Sequence, residues 1–177
     1  PSRGLGDVYK RQAVLIMRGV AFEFRSKSAN RTWRKVFDYC IFIGSIVPAL
    51  LWGVTVGNLI QGTPIDETMT YVGTFWDLLS PYTVLCGVAF VLVFTYHGGL
   101  FTSIKTAGPI SERARAASLV TGVPTAIGVI ALIIASYVYT DLYSSILATI
   151  FCALAVVCFL ISWAAAVSYT HLRAHET

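Results

Sequence analysis

YCIFIGSIVPALLWGVTVGNLIQGTPI, residues 39–65, holds no Asp, Glu, Lys or Arg. A helix rises about 1.5 Å per residue, so about 20 apolar residues carry it across a hydrocarbon core of about 30 Å. The stretch is long enough to span a bilayer. Gly44, Pro48, Gly53 and Gly57 would weaken a soluble helix, but bilayer helices tolerate such residues where their neighbours re-satisfy the backbone. Reading outward, the same absence of charge recurs in 78–104, in 116–140 and from 142 until Arg173. Four spanning helices are expected, near 38–60, 79–103, 116–139 and 144–164. A β-barrel would need alternating strands of about 10 residues, and no such alternation is present.

The composition agrees. Of 177 residues, 56% are hydrophobic and only 12% charged, against roughly a quarter charged in a soluble domain. That excludes an ordinary water-soluble globule. The net charge of +4 forms no nucleic-acid stripe, since Arg25, Lys27, Arg31, Arg34 and Lys35 crowd beside one apolar run. A juxtamembrane loop facing anionic lipid is the simpler account. Cys40, Cys86, Cys152 and Cys158 lie inside apolar runs without CxxC spacing and are expected as packed thiols.

Loop charge orients the chain. The 24–37 loop has five Lys/Arg, 61–77 has none and three acids, 104–115 has three, and 140–143 has only Asp141. By the positive-inside rule, 24–37 and 104–115 face the cytoplasm and 61–77 faces outside. The boundary anchors fit this sense, with Trp33, Tyr39 and Trp163 inside and Tyr71, Phe75, Trp76, Tyr82, Tyr137, Tyr139 and Tyr143 outside.

Ala13–Phe24 is apolar apart from Arg18 and Glu23, too short to cross alone, and reads as the inner end of a preceding span. The flanks 1–12 and 167–177 change composition abruptly, resemble translated adapter sequence, and are set aside. The fold expected is therefore an all-α polytopic transmembrane bundle over 13–166, with four full spans and the end of another. Setting the tails aside also removes His171 and His175 as a metal-binding pair, and no metal site is expected.

Ionisable groups are costly in a bilayer, so each begins as a functional candidate. His97, in Thr95-Tyr96-His97-Gly98-Gly99, reads either as a neutral imidazole bonded to a neighbouring helix or as a proton-path group. Glu23 reads either as a boundary carboxylate paired with Arg25 or Arg31 or as a group on a proton route. Asp38 and Asp77, at span ends, are expected to cap helices or meet interfacial water. Gly53 and Gly57 permit close helix contact, with the Asn58 amide available across it. Ser111 is expected to cap the third span, with Glu112 in its first turn. No P-loop, nucleophile elbow or HExxH motif is present.

RGVAFEFRSK (18–27), Trp33-Arg34, FDYCIFIGSIVPALLWGVTVGNLIQG (37–62), LLSPYTVLCGV (78–88), HGGLFTSIKTAG (97–108) and Arg113 together resemble subunit II of the cytochrome bd-type quinol oxidases. The resemblance covers about residues 13–165 and implies an interior fragment of a subunit with about twice as many helices. It implies a bacterial or archaeal cell-membrane complex that oxidises a quinol, reduces dioxygen to water and takes protons from the cytoplasm. Haems b and d and the quinol site would belong to the partner, subunit I. This chain would bind no cofactor, be inactive alone, and support subunit I. Glu23 matches a proton-route position of the family, while the family's acidic-Gly-Asn-Gln segment is absent. The competing readings are a secondary-transporter fragment, with Pro48, Gly53, Gly57 and Asn58 marking a broken helix, and a non-catalytic scaffold. The spans show no internal repeat of the kind a transporter half should carry.

Overall fold

The computed structural model describes residues 3–27, 30–63 and 72–174. The described residues form five helices: α1 (Arg3–Arg25), α2 (Arg31–Gln61), α3 (Pro81–Lys105), α4 (Pro109–Tyr139) and α5 (Ile146–Ala174). Short 3-10 turns at Phe75–Leu79 and Leu142–Ser144 precede α3 and α5. Four helical stretches are long and apolar enough to cross a membrane: Arg31–Gln61, Pro81–Lys105, Pro109–Tyr139 and Ile146–Ala165. The all-α, four-span architecture is thus the observed one. Met69, Asp66, Tyr71 and His175 lie outside the described residues.

The helices outrun their apolar stretches. α2 begins at Arg31, ahead of the expected 38, because Arg, Trp, Lys and Val all suit a helix and no glycine or proline interrupts them. Its first turn is held by the Asn30 side-chain oxygen, which accepts from the Thr32 amide at 2.9 Å. Gly62, at φ 85°, ends the helix as a left-handed residue and donates its amide to the Asn58 carbonyl at 3.0 Å. α4 begins at Pro109 with Gly108, at φ 68°, as its N-cap. This corrects the expectation for Ser111: proline suits the first helical position, so the helix starts earlier. Ser111 instead donates its hydroxyl to the Ser103 carbonyl at 2.7 Å.

Two compact units are present, Pro1–Trp52 and Gly53–Thr177. The second is organised by α3 against α4. Its core is small and largely polar: Tyr82, Cys86, Ala89 and Tyr96 are buried from α3, with Ser118, Thr125 and Ser136 from α4. The large apolar residues point the other way, and Phe94, Phe101, Ile104, Ile127, Ile130 and Ile134 are exposed. A soluble protein would reverse that arrangement. In a bilayer the outer surface must match lipid, and small residues let backbones approach between helices. Among the cysteines, Cys86 is buried, Cys40 and Cys152 are half-buried and all four are free. Cys158 departs from the packed-thiol expectation and is exposed.

Candidate functional site

The first unit carries a charged corner where α1 ends and α2 begins. Arg25 pairs with Asp38 through Nε and, at 3.4 Å, through Nη2. The Trp33 indole donates to the Phe24 carbonyl at 3.0 Å, tying the two helix ends together. The hydrogen bond to Asp38, reinforced by its charge, raises the Arg25 pKa above the ordinary value. Both partners are about half exposed, so the pair fixes geometry more than it stabilises.

Two expectations change here. Asp38 is not a cap: it lies within α2 as Arg25's partner, its side chain half exposed in keeping with the interfacial alternative. Among the described residues Glu23 makes no ion pair with Arg25, which Asp38 takes, or with Arg31. The nearest cation is Lys27, one turn on, at 3.9 Å. The Glu23 side chain is 74% exposed, so its carboxylate is open at the end of α1. Lys27 also lies over the Phe24 ring, at 4.8 Å.

In the second unit, Gly53 and Gly57 pack directly onto α3. A Cβ on Gly53 would stand 2.7 Å from both the Cys86 carbonyl oxygen and Gly87 Cα; one on Gly57 would stand 2.9 Å from Cys86 Sγ and 3.1 Å from Thr83 Cα. Asn58 spends both amide hydrogens, on the Val54 carbonyl of its own helix and the Leu78 carbonyl of the turn before α3, each at 2.9 Å. The bond therefore reaches a turn, not a facing helix. Thr83 donates its hydroxyl to the same Leu78 carbonyl at 2.9 Å, and Ser80 donates its own to Gln61 at 2.8 Å. Asp77 does cap, accepting from the Thr74 amide at 2.6 Å and hydroxyl at 2.7 Å. These bonds hold its carboxyl below the usual carboxylate range.

His97 is exposed on α3, and among the described residues no neighbouring helix takes a hydrogen bond from it. The helix-bonded imidazole expected there is not formed. Glu23 belongs to the first unit and His97 to the second, and each is described in its own unit.

The sequence reading missed the α3–α4 seam. A Cβ on Gly99 would meet Ser118 Oγ, one on Gly122 would stand 3.4 Å from Tyr96 Cε2 across this seam and 2.9 Å from Trp163 Nε1 of α5, and one on Gly128 would stand 3.1 Å from Leu92 Cδ1. Thr125 donates to the Thr121 carbonyl at 2.7 Å and approaches the Leu92 carbonyl at 3.3 Å, and Tyr82 and Ser136 share a hydrogen bond of 3.0 Å. The available signal was the spacing of small residues at 118, 122 and 125, one face of a helix.

Among the described residues no group of three or more His, Cys, Asp or Glu gathers to hold a metal. A haem requires axial ligands over an enclosed pocket. His97 is exposed, as is Met17 on α1.

Fold and packing together define a multi-pass helical membrane protein. Residues 12–175 match the family described as cytochrome bd terminal oxidase subunit II, and the chain belongs to that family. It is 40% identical over 119 residues to a probable cytochrome oxidase subunit 2 of Haemophilus influenzae, covering 65% of this chain and 32% of the relative. It is also 40% identical over 117 residues to the cytochrome bd-I ubiquinol oxidase subunit 2 of Escherichia coli K12, covering 64% and 31%. A third relative, the cytochrome bd ubiquinol oxidase subunit 2 of Bacillus subtilis, is 40% identical over 101 residues, covering 57% and 30%. The chain spans about a third of the length of these relatives.

Proposed function

We propose that this chain is part of the membrane subunit II of a bd-type quinol oxidase in a bacterial cell membrane. In this reading the complex oxidises a quinol and reduces dioxygen to water. The haems sit in the partner subunit I, and this chain seals and supports that subunit. The observation that carries the reading is the family match over residues 12–175, laid on four membrane-spanning helices. This chain alone is expected to be inactive.

The same reading places 24–37 and 104–115 in the cytoplasm, where loop charge puts them. Glu23 then lies at the inner membrane face. An open carboxylate there can take a proton from the cytoplasm and pass it inward once a partner subunit covers it. The test is Glu23→Gln in the full-length parent oxidase. The amide keeps the shape and loses the titrating group, so oxygen consumption should slow while haem content stays intact. Loss of haem or of assembly would assign Glu23 a structural role instead.

A further inference from the structure

The Tyr96 hydroxyl is buried in the second unit, and among the described residues it has no hydrogen-bond partner. The residue as a whole is 4% exposed. We propose that one water molecule binds between α3 and α5, accepting from the Tyr96 hydroxyl and the Trp163 indole N–H and tying α5 to the α3–α4 pair. This goes beyond the oxidase reading and does not rest on it.

Three helices meet at the phenol ring. The place of a Cβ on Gly122 of α4 is 3.4 Å from Tyr96 Cε2 and 2.9 Å from Trp163 Nε1, so the phenol edge and the indole nitrogen lie near one another over a glycine. Phe159, one turn before Trp163 on α5, packs on the Tyr96 ring with centroids 5.6 Å apart. The hydroxyls of α4 on this face are turned to their own backbone: Ser118 donates to the Ala114 carbonyl at 2.8 Å and Thr125 to the Thr121 carbonyl at 2.7 Å. Trp163 is half-buried, and among the described residues its N–H donates to none.

Two unpaired donors close together call for an acceptor. A buried phenol left unpaired costs about tenfold in the folding equilibrium constant, and phenylalanine would fill the same space without that cost. Water accepts from both donors through its two lone pairs, within the two to four hydrogen bonds a buried water makes. Ser118, one turn before Gly122 on the same face, keeps lone pairs for a hydrogen the water brings. Size excludes a larger occupant: the phenol oxygen is closed off by its neighbours, so a lipid carbonyl has no room, and water enters by a small outward shift of α5. That helix is the one free to give, since 0% of its most apolar stretch is buried against 17–22% in the other three spans. The route in is short. A cleft of about 630 Å³ at the α3–α4 turn is lined by Leu100, one turn from Tyr96, by Leu119 beside Ser118, and by Ser162 beside Trp163.

The test is water–protein cross-relaxation by NMR on the full chain in detergent micelles, with tryptophan labelled at the indole nitrogen. The Trp163 signal is identified by its loss in Trp163→Phe. In the wild-type chain its indole proton should show a cross-peak to water, and Tyr96→Phe, which keeps the ring and its packing, should remove it. The same variant should lower the folding equilibrium constant about fivefold, the loss of one hydrogen bond, in unfolding against SDS mole fraction. Absence of the cross-peak from the wild-type chain would overturn the proposal, as would a cross-peak that survives in Tyr96→Phe. So would a Tyr96→Phe variant more stable than the wild type, which would show the hydroxyl to be unpaired and any cross-peak to be relayed through its exchanging proton.

Discussion

Gly53→Ala is the smallest change that tests how α2 meets α3. The added Cβ would sit 2.7 Å from the Cys86 carbonyl oxygen and from Gly87 Cα, and 2.8 Å from Phe90 Cβ. Two of those atoms are backbone and none can swing aside by side-chain rotation. Restoring ordinary contact of about 3.6 Å requires the helices to part by nearly 1 Å, and a gap of about that size forfeits a quarter to a half of each dispersion well along the seam. Overpacking of this kind costs about 1–3 kcal/mol, and rigid backbone neighbours put Gly53 near the upper end. Alanine's better helix propensity offsets about 1 kcal/mol. A net loss of about 2 kcal/mol remains, close to thirtyfold in the folding equilibrium constant. The assay is reversible unfolding in mixed micelles against SDS mole fraction, followed by tryptophan emission. Gly98→Ala is the control: a Cβ there meets nothing within 4 Å, so it should be neutral or stabilise by up to about 1 kcal/mol. If the two variants behave alike, the close approach at Gly53 is not a stability determinant and the reasoning fails.

Gly57→Ala should cost less than Gly53→Ala in the same assay, because its nearest contact is the Cys86 sulfur, a side-chain atom that can rotate away. Reporter fusions at Asp66 and at Gly108 should land on opposite sides of the membrane, the first outside; matching sides would refute the span count. Asp77 is a carboxyl whose pKa is lowered by its bonds to Thr74, so its contribution is present above the ordinary carboxylate pKa and is lost as pH falls through the lowered value. Protection of the Thr74 amide against hydrogen exchange should therefore fall in that acid window, and Asp77→Asn should flatten the dependence.

Much of the architecture was legible in residues 39–65 and their counterparts, because hydrocarbon thickness sets a minimum apolar length and any charge inside it is costly. Helix number and class, and the approach permitted at Gly53 and Gly57, follow from that local constraint. The first and last turns do not, since a helix continues past the bilayer wherever its residues allow: Arg31 and Pro109 start α2 and α4 several residues before the apolar runs begin.

Partner choice was legible least. Composition makes Arg25 and Arg31 equivalent neighbours for Glu23, yet Arg25 turns to Asp38, thirteen residues away in the chain. Ser111 had the chemistry of a cap and became a strut to Ser103. The seam at Gly99, Ser118, Gly122 and Thr125 shows only as helical spacing of small residues, which does not name the facing helix. A sequence states what each residue can do within a turn or two and what the bilayer forbids. Which of several equal partners a side chain takes depends on distances between segments remote in the chain, and these exist only once the helices have packed.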